Sequence, residues 1–255
     1  MKVDFLNSDR CKVDDEELIY FMHPNTLRDK LIETVEKVGA QKFFSSPEES
    51  VKKARENVAE YFFILGLKKI SGLDWFLRQP HNDPPDFELM TVTSNPITIT
   101  LDPFELVEIP GRCKTFEEMH GIVKGKLNKG YAQNYHLLIF VNHEKSEEWI
   151  KELHQKQENF SPFKTVWTVH LVWYKGQQGL YGSVVNRLRP YPAKTMRVAL
   201  NDEALRQNSP LPDNLEELKI DGKTFIGFKR DFVKGLTTAM RKTLLARSRA
   251  AREGQ

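Results

Sequence analysis

Cysteine is almost missing from this sequence: Cys11 and Cys113 are the only two in 255 residues. Two isolated thiols exclude a cysteine-built zinc site and a secreted disulfide framework. A reduced, cytoplasmic setting is the expectation. No apolar run reaches the roughly 18 residues that a membrane span needs. The patch at 61–67 is short and flanked by charge. The first ten residues lack the apolar core of a secretory signal. No serine sits in a nucleophile elbow. No histidine pair has the HExxH spacing of a zinc helix, and Gly121, Gly125 and Gly130 are too far apart for a nucleotide fingerprint. Internal repeats and low-complexity runs are absent. A net charge of +3 does not by itself announce nucleic acid.

What remains is an ordinary globular composition, 40% hydrophobic and 29% charged. The length suits one large domain, or one domain with an appendage. Residues 14–40 read as helical, with Pro24 separating two short helices. Ser46-Pro47-Glu48-Glu49 reads as a helix start: a serine cap, proline in the first turn, and acids at the positive end of the dipole. Apolar residues recur at near-helical spacing to Leu65, and Gly66 or Gly72 ends the element. Three strands are predicted next: 87–93, 97–101 and 104–109, with Asp102-Pro103 as a tight turn and Pro110-Gly111 as the stop. A capped helix opens at Thr115 and runs toward Tyr135. Residues 137–141 form an all-apolar, buried type of strand. A helix at 146–157 and a strand at 166–173 follow. A meander followed by crossover helices predicts an α/β protein with a mixed sheet and helices on both faces.

The chemistry centres on acids. Asp86 opens one strand, in Pro85-Asp86-Phe87-Glu88-Leu89, and Glu108 lies inside Leu106-Val107-Glu108-Ile109. A hairpin can bring two such carboxylates side by side into a hard, oxygen-rich site suited to Mg²⁺. Alternation puts Leu106, Glu108 and Pro110 on one face of their strand and Glu105, Val107 and Ile109 on the other. A carboxylate among apolar neighbours is expensive unless paired or metal-bound, which singles out Glu108. Glu105, nearer the predicted turn, reads as solvated. The bland reading of Asp86 is a strand-edge cap, and of Glu108 a salt bridge to a lysine on the next helix.

Pro85-Asp86, then Glu108, on a helix-strand-strand-strand-helix-strand chassis over about 48–173, resembles the PD-(D/E)XK nuclease superfamily. The resemblance implies a restriction-endonuclease-like αβββαβ core, here 46–175, between an N-terminal helical segment (1–45) and a C-terminal extension (176–255). It implies that Asp86 and Glu108 bind Mg²⁺ or Mn²⁺, helped by a glutamate on the preceding helix, for which Glu60 is placed; otherwise Glu60 reads as solvated. It also implies a lysine at position 110, to orient or deprotonate the attacking water. Position 110 holds Pro110. Lys124 or Lys126 on the following helix is the candidate replacement, the bland reading of each being a solvated cation.

Residues 229–252 read as a basic amphipathic helix in which Arg241, Lys242, Arg247 and Arg249 would grip a nucleic-acid backbone. The same helix could dock on the core, or on a protein partner. The sequence thus points to a metal-dependent endonuclease acting on DNA. The alternative is an inactive nuclease-fold protein, binding nucleic acid or serving as a structural subunit of a larger assembly. No membrane is implied, and a homodimer is left open.

Overall fold

The computed structural model describes residues 3–7, 10–13, 16–79, 85–94, 97–129, 134–143, 145–156, 160, 162–173, 181–190, 193–200, 202–207, 210–220, 222–229 and 231. The protein is mixed α/β. The chain divides into two compact units: Met1–Thr26, Asp74–Pro103 and Asn208–Gln255 form the first, and Leu27–Leu73 and Phe104–Gln207 the second. No helix among the described residues is long and apolar enough to cross a membrane.

The first unit is built of antiparallel pairs. Strands β1 (Val3–Asn7), β2 (Arg10–Val13) and β3 (Glu16–Met22) pair in succession. This corrects the helical reading of residues 16–22. Ile19, Tyr20, Phe21 and Met22 form a β-branched, aromatic and apolar run, and tertiary pairing decides between helix and strand for such a run. Strand β3 also pairs with β4 (Phe76–Arg78), and β4 with β5 (Phe87–Ser94). Its Tyr20–Met22 segment pairs with β12 (Lys223–Phe228), the partner of β11 (Leu215–Ile220). Arg78 of β4 forms a buried ion pair with Glu88 of β5. A core of Phe21, Phe76, Met90, Leu215, Ile226 and Phe228 lies in this unit.

Strand β6 (Ile97–Ile109) is continuous for 13 residues, so Asp102-Pro103 does not turn the chain. The three strands ahead of the next helix are β4, β5 and β6, not the three expected from sequence. A proline can sit in a strand where its missing N–H leaves no ladder bond unmade.

In the second unit the Phe104–Ile109 half of β6 runs parallel to β7 (His136–Val141), and β7 parallel to β8 (Thr165–Trp173). Antiparallel β9 (Tyr181–Arg189) and β10 (Lys194–Ala199) extend this sheet. Strand β7 is buried at every position, as its apolar run predicts. Helix α1 (Pro24–Val38) opens with its proline, a position where a missing N–H costs nothing, and α2 (Ala40–Ser45) follows. Helix α3 (Glu49–Ser71) ends at Gly72, whose φ of 70° is left-handed. From Asn57 to Leu67 every residue of α3 is buried, the polar Asn57 and Glu60 among mostly apolar side chains.

Helix α4 (Phe116–Leu127) starts where predicted: Thr115 Oγ1 accepts from Glu118 N at 3.2 Å. It stops at Leu127, short of the expected Tyr135. Helix α5 is Ser146–Gln155, and α6 is the single turn Glu203–Arg206. Residues 232–255, which contain most of the basic amphipathic stretch, lie outside the described residues.

Gly66 does not end α3; it lets the helix approach β9. A Cβ there would stand 3.0–3.1 Å from three side-chain atoms of Val185, itself fully buried. All three atoms are close, so no rotation of the valine relieves the contact. We expect Gly66→Ala to destabilise the fold by about 1–3 kcal/mol, despite alanine's better helix propensity. Urea denaturation checks this, and Val185→Ala in the same chain should return most of the loss.

Candidate active site

Strand β6 carries Glu105 and Glu108 on opposite faces, and each face answers to a different helix. Side chains at 104, 106 and 108 share one side. There Phe63 of α3 meets Phe104 edge-on, with centroids 5.1 Å apart, and Arg55 of α3 reaches Glu108. Positions 105, 107 and 109 share the other side. Val107 and Ile109 pack with Met119 and Val123 of α4, and Lys126 of α4 reaches Glu105. An odd separation in sequence, 105 to 108, sends the two carboxylates apart.

Glu108 is enclosed. Arg55 Nε donates to its Oε1 at 2.6 Å and Nη2 to its Oε2 at 3.2 Å, with each side chain about 5% exposed. Asn142, just past β7, donates to the same Oε1 at 3.1 Å and to the Phe44 carbonyl at 3.2 Å. Arg55 Nη1 also donates to the carbonyls of Phe43 and Ser46 at 2.8 and 2.9 Å. Those carbonyls belong to the C-terminal end of α2, where peptide acceptors have no helical donor and a cation is favoured. Arg55 therefore ties α2, α3 and the end of β6 together. Glu108 has a salt-bridge partner, but on the preceding helix rather than the next, and an arginine rather than a lysine.

Glu105 is 0% exposed, which corrects its solvated reading. Lys126 Nζ lies 2.7 Å from its Oε2. A buried carboxylate needs such a partner. Lys126 and Glu108, joined in the sequence reading, are separated by the strand itself. Lys124, two residues from Lys126, points about 200° away around the helix and is exposed. Glu60 is 1% exposed on α3, which overturns its solvated reading as well. It shares that helix with Arg55, whereas Glu105 turns to α4. Asp86 is half-buried at the bend before β5, in the first unit. Arg241, Lys242, Arg247 and Arg249 lie outside the described residues.

Sequence reasoning missed Glu105, Arg55 and Asn142. Arg55 did carry a signal, being a lone cation in the otherwise apolar face Val51, Ala54, Val58. Asn142 directly follows the apolar run 137–141, at a strand end where sites often lie. Its neighbour His143 is held in one tautomer: Nδ1 accepts from Lys145 N at 3.0 Å, so Nε2 donates to the Cys113 carbonyl at 2.9 Å. The ring stacks on Trp149 with centroids 4.0 Å apart.

One histidine stands apart. His170 on β8 is 3% exposed, and among the described residues neither ring nitrogen has a hydrogen-bond partner. Burial lowers its pKa below 6.5, against a smaller opposing pull from Glu147. The folded protein thus holds fewer protons than the unfolded chain once pH falls below that value. Stability should be greatest above it and decline as pH drops from about 7 toward 5. His170→Leu should flatten this decline, read as urea midpoints across that range.

Among the described residues no three histidine, cysteine or acidic side chains cluster around one point. Mg²⁺ does not require such a cage: it keeps waters and often takes only one or two carboxylates, plus substrate phosphates. Glu105 is a hard oxygen donor of the required type, fully buried and with Oε2 on Lys126. Glu108, with both oxygens held by Arg55, does not fit this pattern. Neither protein-family models nor curated proteins yield a match to this sequence.

Proposed function

We propose that the protein is a metal-dependent nuclease-fold enzyme that hydrolyses DNA phosphodiester bonds, with Glu105 as the acid of β6 and Lys126 as the ammonium absent at position 110. The observation that carries this is the 2.7 Å contact between Lys126 Nζ and Glu105 Oε2. A cation supplied from α4 does the work a strand lysine would do. The element order α3, β4, β5, β6, α4, β7 supports the αβββαβ core. Asp86 belongs to the first unit and has a metal-binding role only in the resemblance.

When bound, the metal supplies Lewis-acid stabilisation of the phosphate and a more acidic water. Glu105 would hold the ion through an oxygen donor. Lys126, ion-paired with Glu105, would place a positive group where negative charge develops on the phosphate oxygens. Glu108 belongs to the scaffold in this reading.

The test is nicking of supercoiled plasmid with Mg²⁺ or Mn²⁺. Glu105→Gln and Lys126→Met, assayed under conditions where each variant stays folded, should each lower the rate by about 10²-fold or more. Glu108→Gln should act only through stability. A rate that survives Glu105→Gln and is lost with Glu108→Gln in a folded protein refutes this assignment.

The second reading is an inactive nuclease-fold subunit that binds nucleic acid. Pro110 and the Arg55 fork on Glu108 favour it. Salt-sensitive DNA binding without any metal-dependent nicking would select it.

A further inference from the structure

The outer edge of α4 carries a small cationic platform that the proposed chemistry does not use. Phe116 and His120, one turn apart, stack with ring centroids 5.6 Å apart and an interplanar angle of 14°. Lys156, just beyond α5, places its Nζ 4.9 Å from the centroid of the Phe116 ring. Lys124 stands one turn past His120, and both lysines are exposed. After burial, the ammoniums of Lys124 and Lys156 are the next causes that push the His120 pKa below 6.5. Glu117 is the single acid opposing them there. Glu118, also in the first turn of α4, is engaged by the backbone N–H of Lys114 at 2.8 Å. Two cations and a titratable ring thus converge, with the exposed carboxylates of Glu117 and Glu118 on α4 and of Glu152, four residues before Lys156, on the same two helices.

We infer that this corner of α4 and α5 docks the phosphate backbone of duplex nucleic acid, Lys124 and Lys156 contacting phosphates beside the Phe116–His120 stack. The inference rests on the reading that the protein acts on DNA, and it supplies a surface for that substrate within the described residues. Phe116 is 6% exposed and part of the core, so the contact surface is the two exposed ammoniums of Lys124 and Lys156, whose charge complements anionic phosphates. A lipid surface would demand more apolar exposure, and Ile122 is the one large apolar side chain exposed among the described residues.

The platform also has a consequence for pH. The ammoniums oppose a proton on His120, and a bound phosphate would reverse that opposition. Docking should therefore take up a proton, and affinity should rise as pH falls.

Fluorescence anisotropy of a labelled short duplex, with the full chain in chelator, reads this without interference from cutting. Lys124→Ala with Lys156→Ala should lower the slope of log Kd against log salt by about two, one for each phosphate contact. Lys37→Ala, an exposed lysine on α1, should leave it unchanged. The parent should bind up to about tenfold tighter for each unit that the His120 pKa rises on binding. His120→Gln should remove that gain between about pH 7.5 and 5.5. An unchanged slope in the double variant overturns the inference, as does binding of acidic vesicles with none of duplex. A protein that binds through this corner yet never nicks plasmid loses only the catalytic reading. Nicking that is indifferent to both lysines, with an unchanged slope, loses only this one.

Discussion

Arg55→Ala should cost about 3–5 kcal/mol of unfolding free energy, the usual consequence of stripping one partner from a buried ion pair. The loss has two sources. Glu108 would remain as a carboxylate in a site about 5% exposed, keeping only the Asn142 donor at 3.1 Å. The carbonyls of Phe43 and Ser46 would lose the donor that closes the end of α2. Removing both charges together should cost less, because no uncompensated carboxylate remains, so Arg55→Leu with Glu108→Leu should be more stable than Arg55→Ala alone. Chemical denaturation of the three proteins gives the comparison. A loss under about 1 kcal/mol for Arg55→Ala would mean that the fork is no more than a surface-type pair. Divalent metal also bears on this site. If Glu108 held an ion, Mg²⁺ would offset part of the Arg55→Ala loss; with the arginine as its structural partner, it should not.

The second large effect concerns Lys126. Lys126→Met should destabilise by a similar amount, about 3–5 kcal/mol, because Glu105 is more deeply buried than Glu108 and loses its ammonium. Glu105→Gln should be milder, since a neutral amide asks for less. The informative protein is the double variant, Glu105→Leu with Lys126→Met. Two apolar groups can replace a buried pair at little cost, so stability should largely return. Under the proposed chemistry, nicking should not return with it. Recovery of both would make the pair a fold element only and would move the reactive groups elsewhere. Calorimetry and the plasmid assay on the same preparations separate these outcomes.

The legible part of this chain was the part governed by short-range patterns. The buried strand at 137–141, the Thr115 cap and the stop at Gly72 all follow from neighbours within a few residues. The serine cap expected at Ser46 does not form: α3 begins at Glu49 after Glu48, without a side-chain cap bond, and Ser46 Oγ accepts from Glu48 N instead. The strand at 16–22 was misread because its acids and apolar residues fit either period, and only pairing with β2, β4 and β12 resolves the ambiguity. Pro103 was misread for the opposite reason: a strong local turn signal is overridden where a long strand has a place for it.

For the candidate site the division is sharper. Local sequence determined that β6 would carry acids and that position 110 could not supply an ammonium. It also determined that residues 105 and 108 must face opposite ways, because a strand alternates every residue. Which acid meets a lysine and which meets an arginine was decided by the packing of α3 on one face of β6 and α4 on the other. Those partners are 53 and 21 residues away along the chain. No local rule reaches that far, because charge pairing depends on distance through space.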